Sequence, residues 1–203
     1  MARTTQGGSL KLSAVFLVLG ALALIPVWLG YRLLTVLEGV FISWGPSTAN
    51  LFTWLVNAPN EELLKWLVFV GGTVAFKSLK KPVDGWWQGA FLGLGYGLAE
   101  NVFYVGQAGL GVFALRFVTA VPGHIFYGAL WGGYYGWEVC QGKGQVRRWT
   151  PVLLALFVAV VFHAAYNSAL SWPLGVVWAI IIEAIAGSLA LTLGWFLTQN
   201  SHK

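Results

Sequence analysis

Charge is what this chain of 203 residues has least of: Asp, Glu, Lys and Arg together make up 9% of it, against 58% hydrophobic residues. A soluble domain carries roughly a quarter of its residues charged, so an ordinary soluble domain is excluded. Charge is missing altogether from Leu12–Tyr31, Gly39–Asn60 and Trp149–Ile182, the last interrupted only by His163. A transmembrane helix needs ~20 mostly apolar residues, and runs this long exclude the short alternating strands of a membrane barrel. The single cysteine, Cys140, excludes an internal disulfide; beside a basic loop in "EVCQGKG" it reads as an inert thiol. Asp84 is the only aspartate, which excludes a two-aspartate intramembrane protease. There is no H-E-x-x-H and no G-x-S-x-G, and Ser188 in "IAGSLA" is a poor nucleophile. No soluble domain, linker or low-complexity tract is visible.

What remains is an all-α, polytopic bundle of six to seven helices, eight at most, read as a single membrane domain over 1–203. The expected helices are 12–34, 61–78, 84–107, 112–139, 150–171 and 174–198. Segment 38–57 is long enough to span, but Gly45, Pro46, Ser47, Thr48 and Asn50 break its middle, and such backbone needs protein or water cover at membrane depth. The run 12–31 exceeds a typical signal-peptide core, so a retained first helix is expected. Gly85, Gly89, Gly93 and Gly97 recur at spacing four, as do Gly128, Gly132 and Gly136 after His124. Such Gly-xxx-Gly faces let helix backbones approach closely. The net charge of +5 concentrates at Arg3/Lys11, Lys77/Lys80/Lys81, Lys143/Arg147/Arg148 and the C-terminus. That spacing points to the positive-inside bias of a multi-pass cell-membrane protein with a cytoplasmic C-terminus, and away from a nucleic-acid face.

Polar groups inside such helices are costly and hence candidates for function. They are Glu61, Glu62, Lys65, Glu100, Asn101, Arg116, His124, His163, Asn167 and Glu183. At ~1.5 Å per residue, Glu100 lies roughly 24 Å from the inner face, His163 and Asn167 roughly 20 and 26 Å up, and His124 roughly 18 Å below the outer surface. Glu61 and Glu62 begin a descending helix at that outer side, so four helices bring their polar residues to one level. Each motif has an ordinary explanation. Asn60 is a good N-cap and the acids suit the first turn; Glu61–Lys65 is an i,i+4 pair; Glu100–Tyr104 and His163–Asn167 could be interhelical hydrogen bonding. Their common depth is what those explanations leave unaccounted for. Glutamates, histidines and an asparagine can activate water and stabilise an oxyanion, or hold a divalent ion such as zinc.

"EELLK" (Glu61, Glu62, Lys65), "GLAENVFY" (Glu100, Asn101, Tyr104), "PGH" (His124) and "HAAYN" (His163, Asn167) together resemble the motif series of the PrsW-type intramembrane proteases, relatives of the CAAX prenyl endopeptidases. The resemblance covers about 58–170. It implies a glutamate-type endopeptidase, metal-independent and without a cofactor, that cuts a membrane-anchored protein near the extracytoplasmic side, as in site-1 cleavage of an anti-sigma factor. By that likeness Glu61 and His124 hold and deprotonate water, and His163 and Asn167 donate to the oxyanion. Glu62 and Lys65 orient the site, Glu100 holds a histidine or the substrate backbone, and Asn101, Tyr104 and Arg116 support it. A Glu/His metalloprotease, a non-catalytic scaffold resembling the gamma-secretase accessory subunit, and a proton-relaying transporter using Glu100 and Glu183 are the competing readings. Glu183 falls outside the motif series.

Overall fold

The computed structural model describes residues 6–43 and 49–201, and among them regular structure is helical throughout. The elements are α1 (Gln6–Ser43), the short α2 (Ala49–Phe52) running through a π-helical turn (Thr53–Asn57) into α3 (Ala58–Ala75), then α4 (Pro82–Val118), α5 (Ala120–Gln141), α6 (Trp149–Ala169) and α7 (Gly175–Asn200). Four stretches, Lys11–Thr35, Gly109–Gln141, Trp149–Ala169 and Gly175–Asn200, are long and apolar enough to cross a membrane. Arg3 and the expected break at Gly45, Pro46, Ser47 and Thr48 lie outside the described residues.

Beyond α1, which at Gln6–Ser43 outruns the expected 12–34 at both ends, the structure revises two helix boundaries. α3 starts at Ala58, earlier than expected, because the π-helical turn feeds directly into it. Asn60 is therefore inside the helix and does not cap it; its side chain donates instead to the carbonyl of Val27 in α1 at 3.2 Å. The second revision concerns the run expected over 112–139, which is interrupted at Thr119.

α4 itself folds back at Gly109, whose φ of 80° is cheap only for glycine. In a straight helix Glu100 and Arg116 would stand about 24 Å apart, yet their side chains form an ion pair. Asn101 closes the same turn by donating to the carbonyl of Phe113 at 3.1 Å. The chain then runs antiparallel to its own first arm. A Cβ added at Gly97 would press on Val121 and His124, one at Gly93 on the His124 carbonyl, one at Gly89 on that of Gly128, and one at Gly85 on that of Gly132. The two helices thus meet backbone to backbone. On another side of α4, Gly20 of α1 lies against Leu92 and Tyr96 in the same manner.

Burial is inverted relative to a soluble protein. Large apolar side chains such as Leu33, Phe157, Leu191 and Trp195 face outward, while Glu61, Glu62, Lys65, Asn101, His124 and His163 are buried. Beneath these polar groups lies an aromatic core in which Phe69 packs edge-on against Trp131 and Tyr135, at ring separations of 5.0 and 5.6 Å. At one end, Trp86 of α4 donates to the Ala190 carbonyl of α7, and the Pro82 carbonyl lies against Gly136 of α5. The basic α3–α4 and α5–α6 connections and the end of α7 therefore share that end. Glu138 pins the second connection, accepting from the Arg148 backbone N–H and guanidinium, each at 3.1 Å.

A methyl group at Gly89 has no space to enter, whereas one at Gly71 meets nothing. Gly89→Ala is expected to lower unfolding stability in detergent by about 1–3 kcal/mol through overpacking. Gly71→Ala is expected to be neutral or stabilising by up to about 1 kcal/mol through helix propensity. Thermal melts of the two variants beside the parent check this.

Candidate active site

Four helices bring the polar residues together. Glu61, Glu62 and Lys65 come from successive turns of α3, Glu100 from the first arm of α4, His124 from α5, and His163 and Asn167 from α6. Of these, Glu61, Glu100, His124, His163 and Asn167 border a cavity of about 400 Å³, with Tyr127, Arg32 and Arg116 also on its wall.

The adjacent glutamates are held differently. Glu62 is fully buried and saturated: one carboxylate oxygen takes Lys65 Nζ at 2.6 Å and His163 Nδ1 at 2.8 Å, and the other takes the indole N–H of Trp131 at 3.2 Å. Glu61 borders the cavity, and its charged neighbours stand farther off: Lys65 at 3.5 Å, His163 Nε2 at 3.6 Å and His124 Nδ1 at 3.8 Å. Adjacent helical residues point about 100° apart, and that difference in direction separates a structural anchor from a group facing open space.

Each histidine is oriented by a carboxylate. Lys65 Nζ donates to His124 Nδ1 at 3.1 Å, which fixes the proton on Nε2, and Nε2 donates to Glu100 at 3.1 Å. His163 Nδ1 donates to Glu62, leaving Nε2 directed at Glu61. Glu100 also pairs with Arg116, whose guanidinium lies 3.9 Å above the Tyr104 ring. Lys65 sits 4.5 Å over the face of Tyr96, a cation–π contact that helps to replace lost water. Among the expected residues, Asn101 alone serves mainly the fold, through the turn at Gly109.

Three contributors escaped the motif reading. Trp131 donates to Glu62, Tyr96 faces Lys65, and Tyr127 stacks on His163 with ring centroids 5.5 Å apart and planes at 19°. Spacing carries a signal for two of them: Tyr96 precedes Glu100 by four residues and Tyr127 follows His124 by three, so each shares a helix face with a motif residue. Trp131 carries no such signal beyond being one of 12 tryptophans.

The donor set also suits a divalent ion. Ligand atoms of Glu61, Glu62, His124 and His163 all lie within 4.8 Å of one another. Histidine nitrogens with carboxylates behind them are the usual arrangement around a bound metal. Glu61, His124 and His163 would hold the ion, with Glu62 and Glu100 behind the rings. The same donors already have a cation of their own in Lys65, which lies against three of the four.

Comparison with known proteins agrees with the motifs. A family model described as "PrsW family intramembrane metalloprotease" matches residues 8–195. A protein named Protease PrsW from Halalkalibacterium halodurans is 25% identical over 183 residues, covering 90% of this chain and 78% of the relative. Proteins of the same name from Oceanobacillus iheyensis and Shouchella clausii are each 28% identical, over 70% of both chains in the first case and over 76% of this chain and 67% of the relative in the second. No solved structure matches the chain.

Removing Lys65 should strand a buried carboxylate. Lys65→Met is expected to cost about 3–5 kcal/mol, the penalty for breaking a buried ion pair from one side. Adding Glu62→Gln should recover a large part of that loss. Unfolding measured for the two single variants and the double variant gives the coupling; additive losses would show that the pair is not a unit.

Proposed function

The chain belongs to the PrsW family of intramembrane proteases, and from that premise we propose that it hydrolyses a peptide bond of a membrane-anchored protein with water activated by Glu61. The observation that carries this reading is the inequality of the adjacent glutamates: Glu62 is saturated by Lys65, His163 and Trp131, while Glu61 borders the cavity with looser contacts. A water in the cavity donates to Glu61, with His124 and Lys65 closing one side of its seat. Glu61 takes its proton as the oxygen attacks the scissile carbonyl, then returns it to the departing amine. A proton on each nitrogen of His163 turns Nε2 into a donor to the tetrahedral oxyanion, with Glu62 neutralising the ring and the Asn167 amide as second donor. Glu100 and Lys65 keep His124 in the required tautomer.

The charges are consistent with that cycle. Glu61, Glu62 and Glu100 stand against Lys65, Arg116 and, on the cavity wall, Arg32, so cations offset the carboxylates around the site. The positive-inside rule assigns the end with the basic connections to the cytoplasm. The start of α3, which bears the glutamates, then faces the extracytoplasmic side. That placement suits first-stage cleavage of a single-span regulator such as an anti-sigma factor. The whole chain would act as one membrane domain, with the glycine faces of α4 and α5 as its central packing.

The spacing of the Glu61, His124 and His163 donor atoms favours a second reading, the metalloprotease of the family description. An ion held there would supply Lewis-acid polarisation and lower the pKa of bound water. Lys65 favours the first reading, because its ammonium already neutralises the same donors.

Purified protein reconstituted with a single-span substrate tests both. Glu61→Gln is expected to reduce cleavage by about 10²–10⁴-fold, with His124→Ala and His163→Ala similarly impaired. Full activity in Glu61→Gln would end the glutamate mechanism. Activity is expected to survive chelation; loss on chelation with recovery on one divalent ion, matched by stoichiometric metal in the purified protein, would establish the metal reading instead.

A further inference from the structure

A second cavity, of about 320 Å³, lies between the start of α5 and α7, and its lining includes Thr119, Pro122, Phe126, Ile180, Glu183 and Ser188. Its rim is formed by outward-facing apolar side chains, among them Val118 and Ile180. Glu183 is 5% exposed. One carboxylate oxygen accepts from the Tyr127 hydroxyl, while the other is buried without a hydrogen-bond partner in the protein. The nearby α5 backbone is bare: a side chain at Gly123 would collide with the Glu183 carboxylate, and Pro122 has no N–H to offer. Glu183 follows the first residue of α7 by eight positions, about 12 Å along the axis, below the reach of lipid headgroups. The free oxygen lies buried against the Gly123 backbone beside the second cavity, with no donor from the protein.

Tyr127 and Tyr166 border the main cavity and Glu183 and Thr119 the second, so the Tyr127–Glu183 and Tyr166–Thr119 hydrogen bonds span the wall between the two. A helical peptide must unwind to expose the bond to be cut, and each N–H freed in hydrocarbon costs several kcal/mol unless it finds an acceptor. We propose that this cleft is an exosite that takes an unwound segment of the membrane-anchored substrate, a backbone N–H of that segment donating to the free oxygen of Glu183. The assignment rests on the proteolytic reading above and adds a binding surface that the catalytic set lacks.

The test uses the full chain in liposomes, made inactive by Glu61→Gln, with a photo-crosslinking residue at Ile180 in the second cavity or at Trp28 on the wall of the first. Capture of a single-span substrate at Ile180 is expected, reduced about fivefold by Glu183→Leu, the factor for losing one hydrogen bond. Glu183→Gln, which keeps an acceptor, should stay near the parent yield. Capture at Trp28 without capture at Ile180 would overturn the exosite and leave the proteolytic reading standing. Capture at neither position, together with no cleavage by the unmodified chain, would overturn both. Equal capture in Glu183→Leu and the parent would remove Glu183 from substrate binding.

Discussion

The contact between Lys65 and Glu62, 2.6 Å long and sealed from solvent, is the interaction on which the site depends. Neither charge could stand alone at this depth, since an isolated ion in hydrocarbon costs several kcal/mol or changes its protonation state. Together they form a base on which further charges are assembled. Glu62 has capacity to orient His163, and Lys65 fixes the tautomer of His124, which in turn engages Glu100. Arg116 completes the series by neutralising Glu100. Each ionised group is tolerated because the next one is present, and of the two adjacent glutamates Glu61 is the one that borders the cavity.

The scaffold explains how such a network can persist in lipid. Apolar side chains cover the outside of the helices, and the aromatic layer of Phe69, Trp131 and Tyr135 packs beneath the Lys65–Glu62 pair. Trp131 belongs to both regions, packing in that layer while its N–H satisfies Glu62. The floor of the site is thereby tied to the hydrophobic core.

Much of this was legible in the sequence because membrane burial leaves a coarse signature. Long apolar runs marked where the helices lie, though α1 outruns the expected 12–34 and the expected 112–139 is split at Thr119, and rare polar groups at helical spacing marked what would be drawn together: Glu61, Glu62, Lys65, Glu100, His124 and His163 do converge. What sequence could not supply was direction. Whether Glu61 or Glu62 faces the cavity depends on how α3 is rotated against α5 and α6, and neighbouring residues in a motif do not encode that rotation. Asn60 looked like a cap because its local chemistry suits one; the π-helical turn upstream and the nearby Val27 carbonyl redirected it. Glu183 stands outside the motif series because its partner, Tyr127, is 56 residues away and belongs to no motif.

The fold-back at Gly109 has a metrical consequence. Glu100 rides on one arm of the hairpin and His124 beyond the other, so the distance between them is set by how the two backbones are threaded past each other. Glycine against carbonyl leaves no rotamers to absorb an error, and a slip of one residue would carry the imidazole about 1.5 Å along the axis, enough to unseat its hydrogen bond. The glycine seam works as a gauge block: it sets the acid-to-histidine gap to a tolerance that side-chain packing, with its freedom to readjust, would not hold.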